Sequence, residues 1–382
     1  MTTPLRLSLA ALLLLGLVCS DDTDTPPGKD KGIDMAADVG ALADKAVGEG
    51  TVGDAASEGA VGDAATDAAG DLTPDLTPDT GPVTNTYWDE VKYGLPGSLN
   101  KIMGANSTLI FAVGQQGLIM KSDGTTWSTM TNPDTNKSNL NALWINPTAS
   151  YWYAIGDGVI LYYLNSQWYK GYSSTYSMYS YTDMWGAADP TLYSIGDAGM
   201  IYRKTSSSPS SNFSYLTYSG IGSQKDFKAI WGAAADYMWV VGKDGTIYQC
   251  KSSCSTVSSW TTMTSGTTMH LMDVFGFSKT DVWAVGFNGT VLHYDGTSWK
   301  AHNLGTKTYF NAVWGTSSKN LFVVGHPYFK NDESAYHYDG TKWTKISPPR
   351  VSYINDIWGD SSGKTIHAVG RYNILKYKTA SP

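Results

Sequence analysis

From Tyr87 to Tyr377 the chain alternates short apolar runs with short polar turns. The runs are rich in Val, Ile, Tyr, Trp and Phe and are bounded by Gly, Asp and Asn, which is the pattern of β-strands rather than helices. The stretch from Phe275 to Trp299, FGFSKTDVWAVGFNGTVLHYDGTSW, shows the whole unit. An aromatic-Gly pair is followed by a variable turn, and then comes DVWAVG. A tight G-x-x-G turn leads into TVLHY, and a D-G-x-x-W turn opens the next run. Asn-Gly at 288–289 and Asp-Gly at 244–245 tolerate the positive φ that tight hairpins need.

The unit recurs seven times. Its first anchor falls at Met103-Gly104, Trp144, Trp185-Gly186, Trp231-Gly232, Phe275-Gly276, Trp314-Gly315 and Trp358-Gly359. The Gly that closes the second run falls at positions 114, 156, 196, 242, 286, 325 and 370, so successive gaps run from 39 to 46 residues. That period suits a four-stranded blade and is too long for a leucine-rich repeat. A single blade would leave both sheet faces bare, so neighbours must stack. A Trp that buries roughly 150–250 Å² at a matching place in each unit supplies much of that contact. The expected fold is all-β, a seven-bladed β-propeller. The last unit supplies three runs, ending at Ile374-Leu375-Lys376-Tyr377. The run Thr86 to Val91, with Trp88 in the expected place, supplies the fourth, so the N-terminal strand should close the seventh blade.

The units resemble the Trp-Gly-rich propeller repeats of exported lipoproteins in myxobacteria and related bacteria. The resemblance covers residues 86 to 378. The turns Asp123–Trp127, Asp295–Trp299 and Asp339–Trp343 also resemble the Asp-box of BNR and sialidase-like propellers, with one residue fewer between Asp and Trp. The Gly-His and Trp-Asp marks of WD40 repeats are absent. The resemblance bears on fold and says almost nothing about activity.

The segment before the propeller divides in two. Residues 1–19 read as a signal peptide, with an apolar run from Leu9 to Val18 after Arg6 that is too short to span a bilayer. Its end, Leu15-Gly16-Leu17-Val18-Cys19, resembles a bacterial lipobox, which implies lipidation of Cys19. It departs from that pattern at Val18, where a small residue is usual, and at Gly16, where Leu is usual. Ordinary cleavage after Ser20 is the alternative, and both readings export the protein. Residues 20–85 are a low-complexity Ala/Asp/Gly/Thr/Pro stretch that buries too little apolar surface to fold, so they read as a disordered tether ahead of the propeller, residues 86–382.

The charge of −7 is unevenly spread. From Ser20 to Thr86 there are 15 acidic residues against 3 Lys, and from Tyr87 onward 19 acidic against 23 basic. Neither part has the clustered basic face that nucleic acid requires. With Cys19 lipidated or removed, Cys250 and Cys254 remain. They flank a hairpin-sized loop in blade four, and in an exported protein they are expected to form a disulfide.

Candidate chemistry is sparse. A sialidase needs three Arg around a carboxylate, and the propeller segment holds only Arg203, Arg350 and Arg371. His293-Tyr294-Asp295 and His337-Tyr338-Asp339 could feed a metal, but they occupy the same repeat position, where the Asp starts a turn. No G-x-S-x-G, H-E-x-x-H, phosphate-loop or EF-hand pattern is present. No cofactor or metal is expected.

Two units carry insertions, at 205–225 and 326–335. A Tyr-rich segment leads into blade three and includes Tyr172, Tyr176, Tyr179 and Tyr181. Such Tyr/Ser composition is favoured in adaptable binding loops. His270, Tyr309 and Tyr353 hold the corresponding places in blades five, six and seven. These seven residues are the candidate ligand rim. The expectation is a monomeric, non-catalytic module outside the cytoplasm that binds a protein or polysaccharide and meets the membrane through a lipid anchor only. A glycan lyase or glycosidase with its site on the propeller axis, and a structural subunit of an envelope complex, are the competing readings.

Overall fold

A computed structural model describes residues 87–378, apart from 147, 149, 172–179, 189–190, 205, 207, 209–213, 216–225, 330–331 and 349–352. Among the described residues, 28 strands form seven four-stranded antiparallel sheets. Blade one is typical: Leu99–Asn106, Leu109–Gly114, Ile119–Ser122 and Trp127–Thr129 pair in chain order. The first strand of each sheet packs on the first strand of the next, and that of the seventh packs on that of the first. These strands therefore line the axis of a closed seven-bladed propeller.

The seventh sheet is built from both ends of the fold. Ile354–Gly359, Ile366–Gly370 and Asn373–Tyr377 are completed by Trp88–Tyr93, with Trp88 opposite Tyr377. Trp88 is 1% exposed, meets the Tyr377 ring edge-on at 5.1 Å, and donates its indole N–H to the Ile346 carbonyl of blade six. The first strand of blade two is shorter than most, Leu140–Ile145, and its anchor Trp144 donates to the Gly186 carbonyl of blade three.

The Trp-Gly anchor has a steric cause. A Cβ on Gly232 would lie 2.7 Å from the Trp185 indole, and one on Gly276 would lie 2.7 Å from the Trp231 indole. Each of these two indoles lies against the glycine of the following blade, where only a bare Cα fits. The sheet-to-sheet core is aliphatic and aromatic, as in the cluster of Trp239, Val241, Leu271, Leu292 and Trp299 between blades four and five.

The axis itself is polar. One position of the innermost strand reads Lys101, Ala142, Asp183, Ala229, Asp273, Ala312 and Asp356 around the ring. Each Asp accepts a backbone N–H from the next blade: Asp183 from Ile230 at 3.1 Å, Asp273 from Val313 at 2.8 Å and Asp356 from Ile102 at 2.8 Å. The Lys101 ammonium lies 3.5 Å from Asp183 and 4.0 Å from Asp356. Burial alone would lower the Lys101 pKa, but the three carboxylates outweigh it and hold it raised. Burial, together with the other carboxylates and against the pull of Lys101, pushes Asp273 up to about 7 and Asp356 up to about 6. Three acids against one lysine leave an excess that protonation relieves.

Candidate functional site

In an antiparallel blade the turn between the second and third strands lies on the same end of the propeller as the segment leading into the first strand. The glycine that closes the second strand brings the two into contact. A Cβ on Gly286 would lie 2.0 Å from the His270 carbonyl oxygen, one on Gly325 would lie 1.9 Å from that of Tyr309, and one on Gly370 would lie 1.8 Å from that of Tyr353. No side chain fits there, so the backbones close up. The residue after each glycine is thereby held beside the residue leading into the blade. Phe287 N–H donates to the His270 carbonyl at 2.9 Å, and Arg371 N–H to the Tyr353 carbonyl at 3.0 Å. Tyr309 and His326 are paired in the sheet.

This construction repeats around the rim, and its chemistry changes part-way. Blades one to four carry the polar pairs Ser98/Gln115, Asn139/Asp157, Ser180/Asp197 and Asp226/Lys243, each tied by the same backbone bond. Blades five to seven carry His270/Phe287, Tyr309/His326 and Tyr353/Arg371. On the polar side Asp157 accepts from Ser180 Oγ at 2.6 Å and from the amides of Asn139 and Asn141, both at 3.0 Å. Lys243 is ion-paired with Asp226.

On the aromatic side the rings form a continuous ledge. His270 meets Phe287 at 5.3 Å, and Phe287 stacks on Tyr309 at 4.4 Å with 21° between the planes. Tyr309 touches His326 edge-on at 5.1 Å, and His326 packs on Tyr353 at 5.4 Å. The Arg371 guanidinium lies 5.6 Å from the centroids of both Tyr353 and Tyr372. A branch leaves Tyr309 through Tyr328 at 5.2 Å to Phe329 at 4.7 Å. Burial lowers the His326 pKa, and Asn311 donates to its Nδ1 at 3.3 Å, which places the imidazole proton on Nε2. Burial and the neighbouring Tyr328 push the Tyr309 phenol up.

Seven large apolar side chains are exposed among the described residues, and five sit at this end of blades five to seven: Met269, Tyr328, Phe329, Tyr372 and Tyr93. Scattered exposed apolar residues are ordinary, and their concentration at one end sets this region apart from the rest of the surface.

The seven candidate rim residues divide accordingly. His270, Tyr309 and Tyr353 lie on the ledge. Tyr172, Tyr176 and Tyr179 lie outside the described residues, as do residues 1–86, which include Cys19 and the stretches read above as a signal peptide and a tether, and most of the insertion at 205–225. Tyr181 is a core residue: it is 4% exposed and packs edge-on against Tyr202 at 4.9 Å between blades two and three. It is the first residue of an innermost strand, so alternation turns it between the sheets. Phe287, His326, Arg371 and Tyr372 were not among the candidates. The signal of Phe287, His326 and Arg371 in the sequence is their place immediately after the repeated glycine, and Tyr372 follows Arg371. Tyr328 and Phe329 fall in the insertion of blade six.

The other candidate chemistry resolves into structure. Asp295 accepts backbone N–H groups from Thr297 and Ser298, and Asp339 from Thr341 and Lys342, so both aspartates hold turns. His293 stacks on Trp283 at 4.2 Å and bonds Asp281, while His337 bonds Asn320. Cys250 and Cys254 are joined by a disulfide, with Cα atoms 5.7 Å apart. Among the described residues no three His, Cys, Asp or Glu side chains are grouped to hold a metal ion.

No protein-family profile and no curated protein matches the chain. Solved propellers do match it. YCF48 bound to D1 peptide superposes with a TM-score of 0.63 at 14% identity, over 77% of this chain and 97% of that one. YCF48 from Cyanidioschyzon merolae gives 0.62 at 14% identity, over 76% and 98%. The WD40 β-propeller domain of Doa1 gives 0.59 at 10% identity, over 78% and 98%. An extracellular domain from B. thetaiotaomicron, BT4673, gives 0.59 at 15% identity, over 78% of this chain and 40% of that one. At these identities the likeness is one of fold.

Proposed function

We propose that this protein is a non-catalytic binding module displayed outside the cytoplasm, which captures an extended polymer, protein or glycan, on the aromatic ledge of blades five to seven. The observation that carries the reading is the placement of five exposed apolar side chains at the same end of blades five to seven as the linked rings of His270, Phe287 and Tyr309. Tyr and Phe present flat apolar faces at low entropic cost, which suits both side chains and sugar rings. A protein ligand accords with YCF48, a propeller of the same fold solved with a bound peptide.

Trp88–Tyr93 runs antiparallel to Asn373–Tyr377, and Tyr93 ends beside Asn373 at the ledge end. The chain therefore enters the propeller at the opposite end. The axial reading of an enzyme is less favoured, because Asp183, Asp273 and Asp356 are each engaged by a backbone N–H of the next blade.

The test is a Tyr328→Ala/Phe329→Ala double variant on peptide and glycan arrays beside the unaltered protein. Binding should be lost while the melting temperature holds. Retention of full binding by a folded double variant would place the ligand elsewhere. Palmitate labelling of cells that carry Cys19→Ser tests the anchor; labelling that persists in that variant overturns it.

A further inference from the structure

We infer that the ligand of the ledge is an anionic polysaccharide, a polymer of uronic-acid type whose sugar rings stack on the aromatic side chains while Arg371 and Lys307 pair with its carboxylates. The inference rests on the binding role proposed above and names its substrate class.

The two cations of the aromatic ledge carry the argument. Arg371 lies over Tyr353 and Tyr372, and the Lys307 ammonium lies 5.6 Å from the Phe329 centroid. Among the described residues neither is ion-paired with a carboxylate. The Arg371 guanidinium is exposed beside both rings and carries five N–H donors, so it can fork a carboxylate that approaches the ring faces. The cations are fixed beside exposed ring faces, and this pairing of a flat apolar surface with a carboxylate-reading edge matches a sugar acid. The overall charge of the propeller concealed this placement, because few arginines are needed when one stands at the ledge.

Three carboxylates lie near the ledge, and none of them is ion-paired with Arg371 or Lys307. Asp332 accepts the Phe329 N–H at 3.0 Å, which holds the blade-six turn. Asp244 stands 3.7 Å from the His270 imidazole on the polar side. Glu333 follows Asp332 and leads back into the sheet.

A polysaccharide is favoured over an acidic peptide by the state of the backbone. An extended peptide gains affinity by pairing with an exposed strand edge. At the rim the strands end, and the backbone groups are already spent: the N–H groups of Phe287 and Arg371 are donated to the carbonyls of His270 and Tyr353. What remains is ring faces, phenol hydroxyls, imidazole and guanidinium edges. Those groups serve pyranose faces, hydroxyls and carboxylates.

Affinity electrophoresis and calorimetry of the full chain with polygalacturonate, alginate and hyaluronan test the inference. Methyl-esterified polygalacturonate serves as the uncharged counterpart of the first. At least one acidic polymer should bind, with affinity falling as salt rises. Arg371→Gln/Lys307→Gln should weaken it at least tenfold at an unchanged melting temperature. The ester should bind no better than the acid binds that variant. Equal binding of acid and ester, or full binding by the charge variant, overturns the inference and leaves the ledge standing. Binding of the acid that survives Tyr328→Ala/Phe329→Ala overturns the ledge reading itself. Failure of all three acidic polymers to bind overturns the inference. An acidic peptide that binds better than every polymer assigns the ledge to proteins.

Discussion

Trp358 of the seventh blade lies on Gly104 of the first, so close that a Cβ at 104 would come within 2.4 Å of the indole. The contact spans the joint at which the ring closes. Gly104→Ala should destabilise the fold by about 1–3 kcal/mol, because the indole must leave its rotamer or the blades must part. Gly359→Ala, which meets Trp314 at the same 2.4 Å, should do likewise. Denaturant unfolding of both variants measures this. A loss below about 0.5 kcal/mol, the range of ordinary surface substitutions, would mean that the indoles are not held there.

Ring closure depends on the strand Trp88–Tyr93. Its removal uncovers the edge of Asn373–Tyr377 and takes Trp88 from the contact between blades six and seven. A protein lacking 87–93 should melt at a lower temperature and aggregate, whereas one lacking 25–80 should melt as the full chain does. Equal melting temperatures for the two truncations would contradict closure by this strand.

Tyr181 and Tyr328 should behave oppositely. Tyr181 is 4% exposed and Tyr328 44% exposed. Tyr181→Ala should cost about 3–5 kcal/mol through the cavity it leaves. Tyr328→Ala should stay within about 0.5 kcal/mol of the unaltered protein. Thermal and chemical unfolding of the pair separates a core ring from a rim ring.

The axial cluster predicts a stability that declines as pH rises. Asp273 and Asp356 are held at about 7 and about 6, above the ordinary carboxylate value, so the folded protein binds protons there that the unfolded chain has released. Their stabilising effect is complete below about pH 4 and is lost as pH climbs through 6 and 7. Turn-holding aspartates such as Asp339, held at about 2, act in the other direction, and their contribution is lost only as pH falls through that value. Burial lowers the pKa of His302, His326, His337 and His367, which act in the opposite sense across the same window, so the axial contribution is read as the difference in pH dependence between the unaltered protein and an axial variant. Asp273→Asn, which keeps an oxygen for the Val313 N–H, should flatten the decline. A change in melting temperature between pH 5 and pH 8 that is the same in Asp273→Asn as in the unaltered protein would overturn this account of the axis.

The architecture was legible in the chain because it rests on local rules repeated seven times. Strand alternation, Asn-Gly and Asp-Gly turns and a strand-closing Gly every 39 to 46 residues each act within a few residues of backbone. Trp88 announced the closing strand because its blade lacked a fourth run. The candidate site was only partly legible. His270, Tyr309 and Tyr353 could be placed on the rim from their repeat position, since the segment leading into a blade has a fixed place in the fold. That same reasoning misplaced Tyr181. A shift of one residue turns a side chain from the rim to the space between sheets, and composition does not fix that phase.

The tertiary structure decided what the rim is made of. Phe287, His326 and Arg371 lie 17, 17 and 18 residues along the chain from His270, Tyr309 and Tyr353. They become their neighbours because glycines 286, 325 and 370 let two backbones meet where a Cβ would collide. The axial cluster arose in the same way, from Lys101, Asp183, Asp273 and Asp356, which share one repeat position in separate blades. The repeat specified each blade, but only closure of the ring brought side chains from different blades together, since distances across the ring depend on how all seven sheets pack.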